Sequence, residues 1–389
     1  MNERNRILIL YANYGEGHKM AAKAIEANLK IQLPEADIRT ADFLGDTFPI
    51  SDWIMRKLYL QTFSWAKPIY KQLYYRTKDF TVDSFAFSMP SSLLTLKLEQ
   101  YIEDFKPSLV ISTFPSITGI LAKTKEKGRY RFTLYCVLTD YVAHSQWLYH
   151  SVDRYFVPTE ELREDLIRRG IPDANIQTTG IPVMPKFETR TQKSTLLEKW
   201  GLSEKSPIVL ISAGAFGVIN IKKACEQLLD DCPDVQFLVV CGRNEKLYQQ
   251  LSQLPKLITI HYTEDMHELM QLSDLFITKA GGLSISEAIM SELPMILFKS
   301  QPGQETENVK FLIRQRVAKR VKSTEELSSV VLGILNDNKL WTRMKTNIKE
   351  LRNTMIRNLS LTDCVIKDLG RTPNEVDVIR LREKRLYEI

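Results

Sequence analysis

A chain of 389 residues with 44% hydrophobic content can bury sizeable cores and is long enough for two domains. Its net charge of +6 points to an anionic partner without choosing among nucleic acid, lipid headgroups and phosphorylated substrate. No run approaches the ~18 consecutive apolar residues of a spanning helix, and the scattered Cys136, Cys225, Cys232, Cys241 and Cys364 form no C-x-x-C pair, as expected of reduced thiols in a cytoplasmic protein.

The opening Met1 to Arg6 leads into a short apolar run, so residues 6–12 read as a first strand rather than a secretory signal. Asn13-Tyr14-Gly15-Glu16-Gly17-His18 bounds it, and helical spacing begins at Lys19. The arrangement superficially resembles a dinucleotide fingerprint, but G-x-G-x-x-G needs glycine where Met20 stands, and no G-x-x-x-x-G-K-[ST] occurs. His18 falls at a helix start after a strand, the ligand side of an open α/β sheet. A lone histidine is more often structural; its place in the loop with Gly15 and Gly17 shifts the balance between the two readings toward even. A carboxylate at Glu16 would favour the imidazolium, whereas the helix N-terminus disfavours it.

Residues 36–42 read as a second strand. The stretch 51–80 interleaves Trp53, Tyr59, Phe63, Trp65, Tyr70, Tyr74, Tyr75 and Phe80 with Arg56, Lys57, Lys67, Lys71, Arg76 and Lys78. Lys67, Lys71 and Lys78 recur near helical spacing around Tyr74 and Tyr75. Such a face suits a bilayer interface, where rings sit at headgroup depth and ammonium groups meet anionic lipid. The competing expectation is an aromatic-rich helical pair packed on the sheet with a solvated basic face. No nucleic-acid module is recognisable.

Further strands fall at 109–114 and 132–139, separated by a helix at 115–126. The second runs into Asp140-Tyr141-Val142-Ala143-His144-Ser145-Gln146-Trp147, a polar-aromatic cluster where ligand groups gather. Asp140 can orient a histidine, act as a base itself, or simply cap a helix. A strand at 153–157 and a helix at 159–169 lead to Thr179-Gly180-Ile181-Pro182. Pro182, Pro185 and the polar run 188–194 then form a linker. The alternation restarts with a strand at 207–212, the small-residue loop Ala213-Gly214-Ala215-Phe216-Gly217 and a helix at 219–230. Strand 235–241 leads to Gly242-Arg243-Asn244, and strand 257–261 to Tyr262-Thr263-Glu264-Asp265-Met266.

Leu275 to Thr278 reads as a buried strand broken by Gly281-Gly282, with helix from Ser284 to Ser291. Two residues without Cβ let the backbone approach a ligand, and free N–H groups at a helix start attract an anion. Glu287, about one turn in, can accept from a ribose diol. After a strand at 294–298, Gln304, Glu305 and Asn308 offer polar groups to sugar hydroxyls. A diphosphate seat, a diol acceptor and a sugar reader within 279–308 suggest a nucleotide-sugar pocket, against the plainer expectation of an ordinary strand–loop–helix turn. His144 and Trp147 are then candidate contacts to an acceptor. No D-x-D triplet or H-E-x-x-H spacing occurs, so no metal is indicated, and backbone N–H groups would meet the diphosphate.

Two successive β-α-β runs imply an α/β chain of two doubly wound, Rossmann-like domains facing across a cleft, at 1–185 and 186–360. From 323 onward the sequence reads as helix, with a helical tail at 361–389 that can return to the first domain. The basic run Arg380 to Arg385 reads as a solvated tail.

The Gly-x-Gly-His loop at 15–18, Thr139-Asp140, Thr179 to Pro182, Ser212 to Gly217, Ile277 to Gly282 and Pro302-Gly-Gln-Glu305-x-x-Asn308 together resemble the diacylglycerol glycosyltransferases. These are the bacterial processive diacylglycerol β-glucosyltransferases and the plant monogalactosyldiacylglycerol synthases, with the N-acetylglucosaminyltransferase of peptidoglycan precursor a more distant relative. The resemblance spans about 6–320. It implies a GT-B fold, an inverting transferase without metal or other cofactor, and peripheral attachment at the cytoplasmic leaflet. It implies that Tyr262 and Met266 border uracil, and that Gly214, Phe216, Gly217, Gly281 and Gly282 meet the diphosphate. Glu287 would meet the ribose, and Gln304, Glu305 and Asn308 would read the hexose. Arg243, Lys279 and Ser284 complete the donor set. His18 is implied as the acceptor-side base or positioner, with Asp140 as its alternative or helper. Gly15, Gly17, Trp53, Trp65, Lys67, Lys71, Tyr74, His144 and Trp147 form the acceptor and membrane side. The expected partners are UDP-glucose, diacylglycerol and anionic lipids, with no nucleic acid. UDP-galactose, a polyprenyl-linked acceptor of N-acetylglucosamine, and a non-catalytic nucleotide-sugar sensor are the alternatives.

Overall fold

The computed structural model describes residues 6–13, 16–47, 72, 74–76, 92–212, 221–298 and 303–370, and the chain divides into two compact units. Unit one comprises Met1–Pro185 and Thr354–Ile389; unit two comprises Lys186–Asn353.

Unit one runs β1 (Arg6–Tyr11), α1 (Glu16–Gln32), β2 (Asp37–Asp42), α2 (Phe43–Thr47), α3 (Ser92–Phe105), β3 (Leu109–Ser112) and α4 (Pro115–Glu126). It continues through β4 (Thr133–Val137), β5 (Arg154–Val157), α5 (Glu160–Arg168) and β6 (Ile176–Thr178). The strands form one parallel sheet in the order β2-β1-β3-β4-β5-β6. Alternation along each strand sends Ile7, Ile9, Ile111 and Tyr135 into one core with Ala22, Ile25 and Leu29 of α1. Leu8, Leu10, Val110 and Leu134 enter the opposite core, with Ile117 and Leu121 of α4 and Leu98 and Ile102 of α3. A sheet buried on both faces is what near-continuous apolar strands such as Ile7–Leu10 require.

Unit two runs α6 (Lys193–Trp200), β7 (Ile208–Ser212), α7 (Ile221–Asp231), β8 (Gln236–Val240), α8 (Glu245–Leu251), β9 (Leu257–Ile260) and α9 (Met266–Leu272). There follow β10 (Leu275–Thr278), α10 (Gly282–Met290), β11 (Met295–Leu297), α11 (Gln304–Arg314), β12 (Ala318–Arg320), α12 (Leu327–Leu335) and α13 (Asn338–Ile356), whose residues from Thr354 on belong to unit one. Its parallel sheet has the order β12-β11-β10-β7-β8-β9.

The last described helix, α14 (Leu361–Asp368), belongs to unit one. Ser360 and Asp363 form a reciprocal capping box at its start, and Cys364 and Val365 are fully buried in the core behind α1. Asp368 at its end accepts from the Tyr135 hydroxyl and, at 3.2 Å, from the Arg154 guanidinium. All five cysteines are buried thiols.

Strands β6 and β12 do not show as apolar runs, because Ile176-Gln177-Thr178 and Ala318-Lys319-Arg320 are three-residue edge strands. Helix α10 starts two residues earlier than the sequence suggests: Gly281 takes the extended N-cap conformation and Gly282 is already helical. The aromatic-basic stretch 51–80 lies outside the described residues except for 72 and 74–76, and so does the run Arg380 to Arg385.

Candidate functional site

In an open parallel sheet the strand order reverses at one point, and the chain leaves a crevice at the carboxyl ends of the two strands flanking it. In unit one those strands are β1 and β3. The first is followed by α1, whose third residue is His18, and the second by Thr113. The two residues form a reciprocal clasp: the His18 ring Nδ1 lies 2.7 Å from the Thr113 carbonyl oxygen, and the Thr113 hydroxyl donates to the His18 carbonyl at 3.1 Å. Thr139, just past β4, places its hydroxyl 2.9 Å from the same Nδ1.

A carbonyl can only accept, so Nδ1 carries the proton and Nε2 keeps the lone pair. Burial lowers the His18 pKa to about 4, partly opposed by the bond to Thr113, so the ring is neutral at physiological pH. The Phe114 ring meets it edge-on with centroids 5.0 Å apart, and Trp147 lies at 6.4 Å. Glu16 is exposed and pairs with Lys19 at 3.8 Å, so a cation on its own helix meets its charge.

His144 is buried, and its Nδ1 accepts the Gln146 N–H at 3.2 Å, capping the 3-10 turn Ser145–Trp147. That cap comes from His144 and not from Asp140, which stands partly exposed directly after Thr139. The Tyr74 ring packs 5.1 Å from His144, and Tyr74 is itself buried. Trp147 is buried, and its carbonyl lies 3.1 Å from the Tyr155 hydroxyl, which also accepts the Tyr149 N–H at 2.7 Å. Gly17 lies in the first turn of α1; Gly15, Trp53, Trp65, Lys67 and Lys71 fall outside the described residues.

In unit two the order reverses between β7 and β10. The loop after β7, with Gly214, Phe216 and Gly217, lies outside the described residues. After β10 come Lys279, Ala280 and the glycine pair. Among the described residues, a Cβ placed on Gly281 would meet nothing nearer than the Lys279 Cε at 3.9 Å, an ordinary van der Waals contact. Asn308 does something the sequence does not suggest. It is fully buried, and its Nδ2 donates to the Ala280 carbonyl at 3.0 Å, bracing the glycine turn against α11. Gly303, at φ 96°, takes a backbone conformation that favours glycine and starts α11, from which Glu305 reaches Lys279 at 3.0 Å.

Gln304 is partly exposed in the same first turn, as Ser284 is in the first turn of α10. Glu287, one turn beyond Ser284, is partly buried; desolvation pushes its pKa up to about 8, with the Lys186 ammonium pulling the other way. The Arg243 guanidinium, past β8, lies 5.0 Å over the Tyr262 ring past β9. Tyr262 is 48% exposed, and Met266 opens α9. Past the ends of β10 and β11 lie Lys279, Gly281, Gly282, Ser284, Glu287, Gln304, Glu305 and Asn308, and the two segments are joined directly by Lys279 to Glu305 and by Asn308 to the Ala280 carbonyl.

Sequence reasoning missed Thr113 and Thr139 as partners of His18, and Lys186 beside Glu287. Each threonine is a polar, β-branched residue ending an apolar strand, which is the one signal that marks it. Among the described residues, no group of three His, Cys, Asp or Glu side chains is placed to hold a metal ion, and no helix is long and apolar enough to cross a membrane.

Residues 18–183 match the monogalactosyldiacylglycerol (MGDG) synthase family, and residues 209–358 the glycosyltransferase family 28 C-terminal domain. The processive diacylglycerol beta-glucosyltransferase of Bacillus pumilus is 35% identical, over 90% of this chain and 92% of its own. That of Bacillus subtilis is 34% identical over the same shares. Among solved structures, Acinetobacter baumannii MurG matches with a TM-score of 0.57 at 14% identity, covering 93% of this chain and 99% of that one. The UDP-GlcNAc 2-epimerase of Neisseria meningitidis, solved bound to UDP-GlcNAc, gives 0.56 at 16% identity, covering 94% and 99%. At such identities the structural likeness speaks for the fold, the GT-B-like pair of doubly wound units expected from the resemblance.

Proposed function

This chain belongs to the family of the monogalactosyldiacylglycerol synthases and processive diacylglycerol β-glucosyltransferases and is a glycosyltransferase; from that premise we propose that it moves glucose from UDP-glucose to the hydroxyl of diacylglycerol, and again onto the glucosylated product. The observation that carries the chemistry is the clasped tautomer of His18. With the proton on Nδ1 committed to the Thr113 carbonyl, Nε2 is the basic nitrogen, and it accepts the acceptor's hydroxyl proton as that oxygen attacks C1 of the sugar. The carbonyl and the Thr139 hydroxyl hold the ring in orientation, and the carbonyl stabilises the imidazolium as it forms. Attack in line with the departing UDP inverts the anomeric carbon.

On the donor side, the N–H groups opening α10 and the Lys279 ammonium neutralise the leaving diphosphate. Glu287 accepts the ribose diol, and Tyr262 with Met266 borders the uracil. Gln304 and Glu305 face the hexose, while Asn308 holds the turn from behind. Peripheral attachment to the cytoplasmic leaflet through anionic lipid completes the proposal, because the acceptor is itself a membrane lipid.

Incubating the protein with diacylglycerol vesicles and labelled UDP-glucose, then separating lipids by thin-layer chromatography, tests this reading. Labelled mono- and diglucosyl lipid is expected. Product only from UDP-galactose would move the donor assignment, and UDP binding without lipid product would favour a nucleotide-sugar sensor. Sedimentation with phosphatidylglycerol vesicles but not with neutral ones is the expected sign of anionic-lipid attachment.

A further inference from the structure

Helix α9 has only seven residues, Met266–Leu272, too few to hold a helical conformation without outside support. Its second half is anchored by the buried Leu269, Met270 and Leu272. Its first turn, with the loop 262–266 before it, lacks such burial: Tyr262, Thr263, Glu264, Asp265 and Met266 are all exposed or partly exposed. Polar attachments from the segment that opens unit two hold it instead. The Lys186 ammonium donates to the Glu264 carbonyl. The buried Phe187 ring packs against His267 at 6.0 Å. Further along, the Thr191 N–H donates to Gln271 Oε1 at 3.3 Å and Gln271 Nε2 donates back to the Thr191 carbonyl at 3.0 Å. His267 and Gln271, four residues apart, lie on one side of α9, and the Glu264 carbonyl lies two residues ahead of the helix, so the segment touches both the loop and that side of the helix. Lys199 of α6 adds ion pairs to Asp265 at 3.2 Å and Glu268 at 2.6 Å.

We propose that residues 186–191 form a strap that fixes the 262–266 loop, and that Lys186 is its positioning residue for the nucleoside of the donor. The inference rests on the assignment of Tyr262 and Met266 to the uracil. A charged donor to a main-chain carbonyl is among the stronger protein hydrogen bonds, and it acts on the backbone two residues from each of these side chains. The same ammonium lies within the field of Glu287, where it favours the ionised carboxylate that accepts the ribose hydroxyls. One side chain thus steadies both ends of the nucleoside. In the sequence Lys186 follows Pro185 as an unremarkable linker lysine, which is why it carries no signal there.

The test is calorimetric titration of UDP into the full chain carrying Lys186→Met, beside Lys186→Arg and the exposed-surface control Lys339→Met. Lys186→Met is expected to raise the UDP dissociation constant and the UDP-glucose KM by about 5- to 20-fold, with kcat held within about twofold. Lys186→Arg, which keeps a charged donor, recovers most of the affinity, and Lys339→Met changes nothing. Gln271→Ala, removing both bonds to Thr191, is expected to act in the same direction more weakly, guarding against a misfolded Lys186 variant. Wild-type affinity in Lys186→Met, or a loss of kcat with KM unchanged, overturns the strap. Failure of the unmodified protein to bind UDP instead overturns the donor-site assignment beneath it.

Discussion

The ring nitrogen Nδ1 of His18 stands 2.7 Å from the carbonyl oxygen of Thr113, and that pairing decides which nitrogen can receive a proton. Replacing His18 with Ala is expected to lower lipid glucosylation by at least about 100-fold while leaving UDP affinity within about twofold. Because the pKa is held near 4, the kcat of the wild type is expected to stay level from pH 8 to about 5 and to fall only below that. A kcat that drops through pH 6.5 would mean an ordinary, solvated histidine.

Thr139→Val removes the hydroxyl beside Nδ1 and keeps the shape of the side chain. A loss of about 3- to 10-fold in kcat is expected, with KM for both substrates unchanged, because the ring becomes less well oriented and no binding contact is lost. Thr139→Ser should restore the rate. Steady-state kinetics on detergent-dispersed diacylglycerol distinguishes these outcomes.

Glu287 carries a pKa raised to about 8, above its unfolded value of 4.5. The folded state therefore binds the proton more tightly than the unfolded one, and stability falls as pH rises from 4.5 towards 8. Glu287→Gln is expected to gain about 1 kcal/mol at pH 8 and nothing at pH 4, the partial exposure of the group limiting the gain. The same variant should lose most of its UDP affinity. In the wild type that affinity should improve from pH 7 to 9 as the carboxylate ionises. Thermal melts and titrations at three pH values check both signs.

Asn308→Ala deprives the buried Ala280 carbonyl of its donor and leaves a void behind the glycine turn. A loss of about 2–3 kcal/mol in urea denaturation is expected, with UDP bound roughly tenfold more weakly. Loss of sugar discrimination with full stability would instead return Asn308 to direct contact with the hexose.

Asp368→Ala breaks the closure between α14 and the strands carrying Tyr135 and Arg154. Unit one should lose about 1–3 kcal/mol, with UDP affinity unchanged because the residues proposed to bind the donor belong to unit two. Denaturation followed alongside UDP titration separates the two effects.

The apolar runs at Ile7–Leu10, Val209–Ile211 and Phe276–Ile277 announce their strands, because a parallel sheet covered on both faces demands them. Edge strands such as β12, two of whose three residues are exposed, carry no such demand and leave no mark. His18 is visible through its neighbouring glycines, but its partners are not. Thr113 is 95 residues away, and the oxygen that fixes Nδ1 is a main-chain one that any residue at that position would supply. Asn308 shows the converse: its type suits a sugar, and only the fold reveals that it is buried and turned to the protein's own backbone. Lys186 depends on the same kind of distant main-chain contact.

Helix α14 seals the core of unit one, yet it is encoded after all of unit two. A ribosome adding about 5–20 residues per second needs roughly ten to thirty seconds to pass from Pro185 to the return of the chain at Thr354. Throughout that interval the nascent first sheet lacks its lid, and Leu109, Ile111, Tyr135 and Phe156 await Leu361, Cys364 and Val365. Truncations arrested before residue 354 are therefore expected to recruit chaperones, whereas those extended past 368 should resist protease while still tethered to the ribosome.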